Sequence, residues 1–134
     1  MHKPAMAPPR IFDPAARQHR FRRSAAMPIE NQWLVERMAQ ELAGRLDAVR
    51  RDFSTVALVG LGSRFLRGAA RLQSCDIAEY AASGPGPFEE DRLPLEAASQ
   101  DLIIACGTLD SVNDLPGALI LLRRTLNPGG LFLA

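Results

Sequence analysis

The chain has 134 residues, a length typical of one domain that buries a sufficient core without disulfides or metal ions. Lysine and arginine total 16 against 15 aspartate and glutamate, which excludes an overall field favouring nucleic acid or acidic substrates. No run approaches about 18 consecutive apolar residues, and the start lacks an apolar secretory core, so we expect a cytoplasmic protein without a membrane partner. Cys75 and Cys106 lack the spacing of metal ligands, so we expect reduced thiols and no metal site.

Residues 1–27 are predicted to form a basic arm, whose first ten residues contain three prolines and are expected to be disordered. Four arginines follow Asp13 in the segment Ile11–Ala26, which can form a short helix with a positive face. Two interpretations stay open: the arm packs on the domain through Ile11, Phe12 and Phe21, or it binds an anion or a partner. Nucleic acid is not the expected partner, because the arm contains no recognisable reading module.

Residues 28–134 are predicted to form the domain itself, which begins with an amphipathic helix from about Pro28 to Arg51. The apolar residues of its inward face recur at helical spacing: Leu34, Val35, Met38, Leu42, Leu46 and Val49. Such a helix covers one face of a sheet. Trp33, near its start, is expected to be a core or lid aromatic rather than one that stacks on a cofactor.

The apolar run Thr55–Val59 predicts a strand that ends in the glycine turn Gly60-Leu61-Gly62. A strand, a glycine turn and a helix together form the arrangement with which α/β proteins open a nucleotide pocket. Glycines let a ligand approach the backbone, and we expect the next helix, Arg64–Leu72, to aim its free N–H groups at that ligand. The turn therefore marks a candidate binding site.

The second half of the chain continues the alternation of strands and helices. Ser74–Asp76 is predicted as a short second strand, and Ile77–Ser83 as a small helix. An acidic, irregular connection leads to a buried strand at Asp101–Cys106. Asp114 can cap a further helix that has Pro116 in its first turn.

The chain stops on a predicted strand, Leu131–Ala134, that follows a predicted turn at Asn127–Gly130. Because a bare apolar edge is uncommon, we expect either a fragment of a longer reading frame or self-association through this strand. The alternating elements predict an α/β fold with a Rossmann-like parallel sheet and helices on both faces. Right-handed crossovers then place a ligand at the carboxyl ends of the first strands.

Four segments resemble the second half of a class I S-adenosylmethionine-dependent methyltransferase domain: Leu93–Leu95, Ser99–Ile104, Val112–Leu119 and Leu126–Phe132. With Ile11–Asp13, the basic arm and Phe53–Gly62, the resemblance covers about residues 11–134, and Val112–Leu119 is its most specific piece. Within that superfamily the chain is most similar to complex I assembly factors, their bacterial relatives and malonyl-carrier-protein methyltransferases. The resemblance implies a cytoplasmic protein of bacterial type with the methyltransferase fold, here without the family's C-terminal strands.

The resemblance also implies S-adenosylmethionine as cofactor, with methyl transfer to an oxygen, nitrogen or carbon atom of a small molecule, a carrier protein or another protein. Asp76 matches the family's acid for the ribose hydroxyls, and Glu89 matches the acid near the adenine amino group, with Glu90 and Asp91 able to substitute for it. The implied cofactor-binding residues are Gly60, Leu61, Gly62, Asp76, Ile77, Glu89, Asp91 and Cys106.

The chain departs from the family pattern at three places. Leu58 replaces an acid that helps hold the cofactor's amino group, and Arg64 replaces a third glycine. An arginine there would cost about 1–2 kcal/mol if the backbone had to be left-handed. Asp110-Ser111 replace His-Trp, and Asp110 is a candidate catalytic base that can equally be a helix cap or a solvated charge.

Two further functions stay open. The fold can persist without catalysis, and the protein then acts as an assembly or interaction factor that docks through its basic arm. Alternatively, the glycine turn can bind a dinucleotide with Asp76 on the ribose, although Phe65 occupies the third glycine position and Asp76 comes slightly early for that fingerprint. The first function to test is S-adenosylmethionine-dependent methyl transfer.

Overall fold

A computed structural model describes residues 6, 7, 9–80 and 93–134. Within these residues one parallel sheet has the strand order β2-β1-β3-β4. Its strands are β1 (Thr55–Val59), β2 (Asp76–Tyr80), β3 (Gln100–Ala105) and β4 (Leu126–Leu133). The helices are α1 (Pro14–Ala26), α2 (Trp33–Asp47), α3 (Ser63–Leu66) and α4 (Leu115–Thr125). Short 3₁₀ turns lie at Ile29–Asn31, Ala70–Leu72 and Leu109–Ser111.

The core lies on both faces of the sheet, because successive side chains of a strand point to opposite sides. On one face Val56 and Leu58 of β1 belong to the same buried cluster as Leu42 and Leu46 of α2. On the other face β1 and β3 pack with Leu122 of α4. The predicted α/β fold, with a parallel sheet and helices on both faces, is confirmed.

The helix α2 is shorter than the predicted helix at both ends. Pro28 has an extended ψ of 144°, and a 3₁₀ turn follows it, so the α-helix begins only at Trp33 and ends at Asp47. Its buried residues are Ala39, Leu42 and Leu46. The side chain of Trp33 is 67% exposed, so the expected core position is wrong.

The second strand differs most from its prediction. The strand β2 is Asp76–Tyr80, in register with β1 from Thr55 opposite Asp76 to Val59 opposite Tyr80. The predicted strand at Ser74–Asp76 and the predicted helix from Ile77 are therefore wrong. The reason is the short crossover between β1 and β2. Asp76 donates its N–H to Ser54 O at 2.7 Å, so the strand begins at this residue, and the next four residues pair with the rest of β1.

Two other elements after the glycine turn also differ from prediction. The predicted helix Arg64–Leu72 is one turn of α3 followed by a 3₁₀ turn at Ala70–Leu72. Asn127–Gly130 lies within β4 rather than in a separate turn, and the pairing of β3 with β4 is irregular between Gln100 and Leu102. The predicted cap of α4 is confirmed, because Asp114 Oδ1 accepts the N–H of Gly117 at 2.9 Å.

The amino edge of the sheet is held together by the carboxylate of Asp101, at the start of β3. Its Oδ2 accepts the N–H groups of Ser54 at 2.9 Å and Thr55 at 3.2 Å, and its Oδ1 accepts Asn127 Nδ2 at 2.9 Å. The hydrogen bond from Asn127 is the largest cause of a lowered pKa of Asp101, and those from Ser54 and Thr55 add to it. One carboxylate thus joins β1, β3 and β4.

Candidate cofactor site at the carboxyl edge of the sheet

The glycine turn after β1 is packed against the loop that follows β3. Gly60 has a φ of +97°, and a Cβ there would lie 2.8 Å from Thr108 Cβ and closer still to Cys106 O. A Cβ at Gly62 would lie 2.5 Å from Cys106 Cβ and closer still to its Sγ. These two glycines are therefore required by the close approach of the protein's own loop.

The N–H groups of this turn are largely satisfied within the protein. Gly60 donates to Tyr80 O at 3.0 Å, Gly62 to Cys106 O at 3.1 Å, and Ser63 to Gly60 O at 3.2 Å. Of the predicted helix, Phe65 and Leu66 also donate their N–H groups within the protein, both to Gly62 O, so they are not free for a ligand as expected, and α3 itself is one turn long. Leu61, between the two glycines, is half-buried and faces a cleft.

This cleft has a volume of about 590 Å³ and lies at the carboxyl edge of the sheet. We call it the arm cleft, because residues 11–24 of the arm form one wall of it. Leu34, Val35 and Met38 of α2 form an apolar wall, and residues 105–111 after β3 form a more polar one. The arm cleft thus combines apolar surface with charged groups of both signs, those of Arg20 and Asp110 among them.

The front of the arm is attached to the domain by side-chain hydrogen bonds. Asn113 Oδ1 accepts the N–H groups of Ile11 at 2.8 Å and Phe12 at 2.7 Å, and Asn113 Nδ2 donates to Phe12 O at 2.8 Å. Arg17 donates from Nε to Ser111 Oγ at 2.8 Å and from a terminal nitrogen to Thr108 O at 2.9 Å. The expected packing through Ile11 is wrong, because this side chain is 71% exposed.

The rear of the arm is attached through the buried side chain of Gln32. Its Nε2 donates to Ser24 O at 2.9 Å and to Met27 O at 2.8 Å. Arg64 donates to Ala25 O at 3.3 Å and to Gln32 Oε1 at 3.4 Å. Arg64 is not among the residues with positive φ, so replacing the family's third glycine brings no left-handed strain, and its side chain instead contacts the arm.

The structure brings together only part of the predicted site. Gly60, Leu61, Gly62 and Cys106 meet at the carboxyl edge, and Asp110 lies nearby in the wall of the arm cleft, with an exposed side chain. Asp76 and Ile77 begin β2, at the opposite edge of the sheet, so the premise that Asp76 follows the second strand is wrong. Ile77 packs against the core. Glu89 and Asp91 lie outside the described residues.

Sequence reasoning assigned no role to Asn113, Arg17 or Gln32, which hold the arm in place. Asn113 lies in Val112–Leu119, the segment that resembles the family most specifically. This resemblance is the signal in the sequence that could have identified Asn113. Its function depends on a contact with residues about a hundred positions away, which no local pattern reveals. In the described part of the chain, no group of His, Cys, Asp and Glu side chains could hold a metal ion, and no helix is long and apolar enough to cross a membrane.

Burial raises the pKa of the Cys106 thiol to about 11, so this group is neutral at physiological pH. We expect Cys106 in a Cys75→Ser variant to react with a disulfide reagent at pH 8 only as fast as the protein unfolds. The matched Cys106→Ala variant keeps the half-buried Cys75 and should react faster. Rapid native labelling of Cys106, followed by absorbance of the released thiolate, would contradict this assignment.

Comparison with known proteins identifies the family. A family model described as a methyltransferase domain matches residues 45–134. Mitochondrial arginine-hydroxylase NDUFAF5 of Mus musculus is 27% identical over 120 residues, covering 78% of this chain and 35% of the relative. The human protein is 26% identical over 121 residues, with coverage of 79% and 35%. The chain thus spans about a third of the length of these curated relatives.

A solved structure from Thermotoga maritima, described as a SAM-dependent methyltransferase and possible histamine N-methyltransferase, is 18% identical with a TM-score of 0.46. That match covers 77% of this chain and 54% of the other. The family model, by contrast, covers well over half of the chain and includes the whole sheet and the glycine turn. The chain therefore belongs to the methyltransferase domain family.

Proposed function

We propose that this chain binds S-adenosylmethionine at the arm cleft and transfers the cofactor's methyl group to an acceptor. The observation that carries the proposal is the position of the arm cleft. It opens at the carboxyl edge of a parallel sheet, beside Leu61 of the glycine turn, which is where α/β folds bind their ligands. Membership of the methyltransferase domain family supports the choice of cofactor.

The described walls of the arm cleft fit the amino-acid end of this cofactor. Arg20, which lines the arm cleft, offers a cation for its carboxylate. The ribose contact expected from Asp76 does not fit, because that residue lies at the opposite edge. Glu89, Glu90 and Asp91 lie outside the described residues, and we propose them, as the family resemblance implies, for the contact with the adenine amino group.

When bound, the cofactor supplies an activated methyl group, so the protein's main task is alignment. Apolar residues of α2 and of the arm helix α1 line the arm cleft and offer apolar surface to a bound ligand. Asp110 is the candidate base that can take a proton from the acceptor. From the family resemblance we propose a small molecule, a carrier protein or another protein as acceptor. A cytoplasmic location is proposed for a protein of bacterial type, in contrast to the mitochondrial relatives.

A second candidate function is a non-catalytic assembly or interaction factor with a methyltransferase fold. Two observations favour it: the N–H groups of Gly60, Gly62 and Ser63 are already used within the protein, and Asp76 is remote from the turn. Such a protein would dock on a partner through its basic arm or associate with a second copy through β4. The two functions differ in whether S-adenosylmethionine stabilises the folded chain.

A thermal melt with and without S-adenosylmethionine tests the first function, because a ligand that binds only the folded state raises the melting temperature by mass action. We expect an upward shift that saturates with cofactor concentration. Arg20→Ala should weaken binding by about tenfold, the equivalent of one charge-assisted contact. The matched Arg22→Ala variant removes an exposed arginine of the same helix that does not line the cleft, and should bind normally.

A cooperative melt that ignores millimolar S-adenosylmethionine would reject the first function and favour the assembly factor. Equal loss of binding in both arginine variants would place the cofactor outside the arm cleft. Radiolabelled methyl transfer to candidate acceptors then distinguishes a working enzyme from a protein that only binds the cofactor.

A further inference from the structure

The arm helix α1 forms a wall of the arm cleft without being part of the core. None of its residues is buried, in contrast to α2 and α4, which insert apolar side chains into the two core clusters. Its Phe21 is only half-buried and stacks against Arg17, whose guanidinium lies 4.6 Å from the ring centre. An element held chiefly by polar contacts at the surface opens locally more readily than the core does.

The front attachment of this wall joins Asn113 to the segment before α1, beside the hydrogen bonds that Arg17 of α1 makes to Ser111 and Thr108. The amide of Asn113 makes three hydrogen bonds to the backbone of Ile11 and Phe12, two as acceptor and one as donor. Asn113 is itself fixed between the buried Val112 and the helix cap Asp114. It does not line the arm cleft, so any effect on a bound ligand acts through the arm.

The rear attachment fixes the end of α1 through Gln32 and Arg64. Gln32 bonds to the carbonyl groups of Ser24 and Met27, at the end of α1, and Arg64 bonds to Ala25 O and to Gln32. These contacts surround the short connection between α1 and α2, so that without Asn113 the segment before α1 loses its side-chain hydrogen bonds while Arg17 still holds the helix itself. The two attachments are thus chemically independent.

We propose that Asn113 is a positioning residue, the latch that closes the arm as a movable wall over the arm cleft, and that ligands enter when this latch opens. The part concerning a ligand rests on the proposed cofactor binding, whereas the latch itself is tested without any ligand. The amide is suited to this task because it pairs with an N–H and a C=O of the same backbone segment at once.

Hydrogen exchange of the complete chain, followed by mass spectrometry, tests the latch. In Asn113→Ala, the amides of residues 11–26 should exchange at least about tenfold faster, while those of β1 and β3 keep their protection. Asn113→Asp keeps the acceptor for both N–H groups but loses the donor to Phe12 O, so its arm exchange should be intermediate. A general loss of stability would not produce this order of exchange rates in the arm, slowest in the wild type, intermediate in Asn113→Asp and fastest in Asn113→Ala.

Asn127→Ala is the matched control, because Asn127 bonds to Asp101 at the opposite edge of the sheet. It should lower the melting temperature without changing exchange in residues 11–26. Unchanged arm exchange in Asn113→Ala, or equal acceleration in both alanine variants, would overturn the proposal.

The same variants separate the latch from the proposed function. If wild-type protein binds S-adenosylmethionine, Asn113→Ala should weaken that binding about tenfold through faster dissociation, and unaltered binding would overturn the link to ligand entry. If the wild-type protein binds no S-adenosylmethionine, the proposed function fails, and the exchange data alone decide whether Asn113 holds the arm.

Discussion

Gly60→Ala is expected to lower the free energy of unfolding by about 2–5 kcal/mol, the sum of left-handed strain and overpacking. The strain arises because the backbone has a φ of +97° at this position. The overpacking arises because the added methyl would press against Cys106 O and the side chain of Thr108. Urea unfolding, followed by far-ultraviolet circular dichroism, measures the change.

Gly44→Ala is the control for this prediction, because Gly44 lies within α2 and a Cβ there meets nothing within 4 Å. Alanine should stabilise that helix by about 0.5–1 kcal/mol. Gly62→Ala should lower the free energy of unfolding because the added methyl would press against Cys106 alone. The second substitution Cys106→Gly should restore part of that free energy. Similar effects at Gly44 and Gly60 would contradict the packing of the turn described above.

Asp101→Ala is expected to cost about 2–4 kcal/mol at pH 7, because it removes a charged acceptor from three donors, Ser54 just before β1, Thr55 in β1 and Asn127 in β4. The native pKa of Asp101 is lowered, so the charge contributes its full stability above the ordinary aspartate value near 4. That contribution disappears as the pH falls through the native pKa. Unfolding free energies of both proteins between pH 2 and pH 7 should therefore converge in acid.

Asp52→Ala provides a control, since Asp52 is an exposed carboxylate and its loss should change stability by no more than about 0.5 kcal/mol. A difference between wild type and Asp101→Ala that persists undiminished at pH 2 would show that Asp101 acts through packing rather than through its charge.

The central part of the fold is predictable from the sequence because it depends on local composition. The strand at Thr55–Val59 has identical predicted and observed bounds. The cap at Asp114 involves only its own side chain and the N–H of Gly117, three residues later. The strand β2 was not predictable in this way. Its residues Ile77–Tyr80 have no clear periodicity, and their conformation follows from pairing with β1, which the short crossover determines.

The sequence placed the glycine turn at the carboxyl edge of the sheet, and the structure has it there. The contact of Gly60 and Gly62 with Cys106 and Thr108, which also requires glycine at both positions, could not be predicted from the motif. Asp76 was assigned by family correspondence, and the strand register moves it to the other edge. The edge of the sheet at which a residue lies depends on the lengths of the elements before it. A sequence motif does not carry this information.

The attachment of the arm to Asn113 also constrains how the chain matures during synthesis. The two partners are separated by 101 and 102 positions, so a ribosome releases the basic arm long before it releases its acceptor. The contact with Asn113 can therefore form only after more than a hundred further positions have been synthesised, and contacts so distant in sequence carry a high entropic cost of closure. Throughout this interval the arginines of the arm are open to any polyanion or chaperone near the ribosome exit.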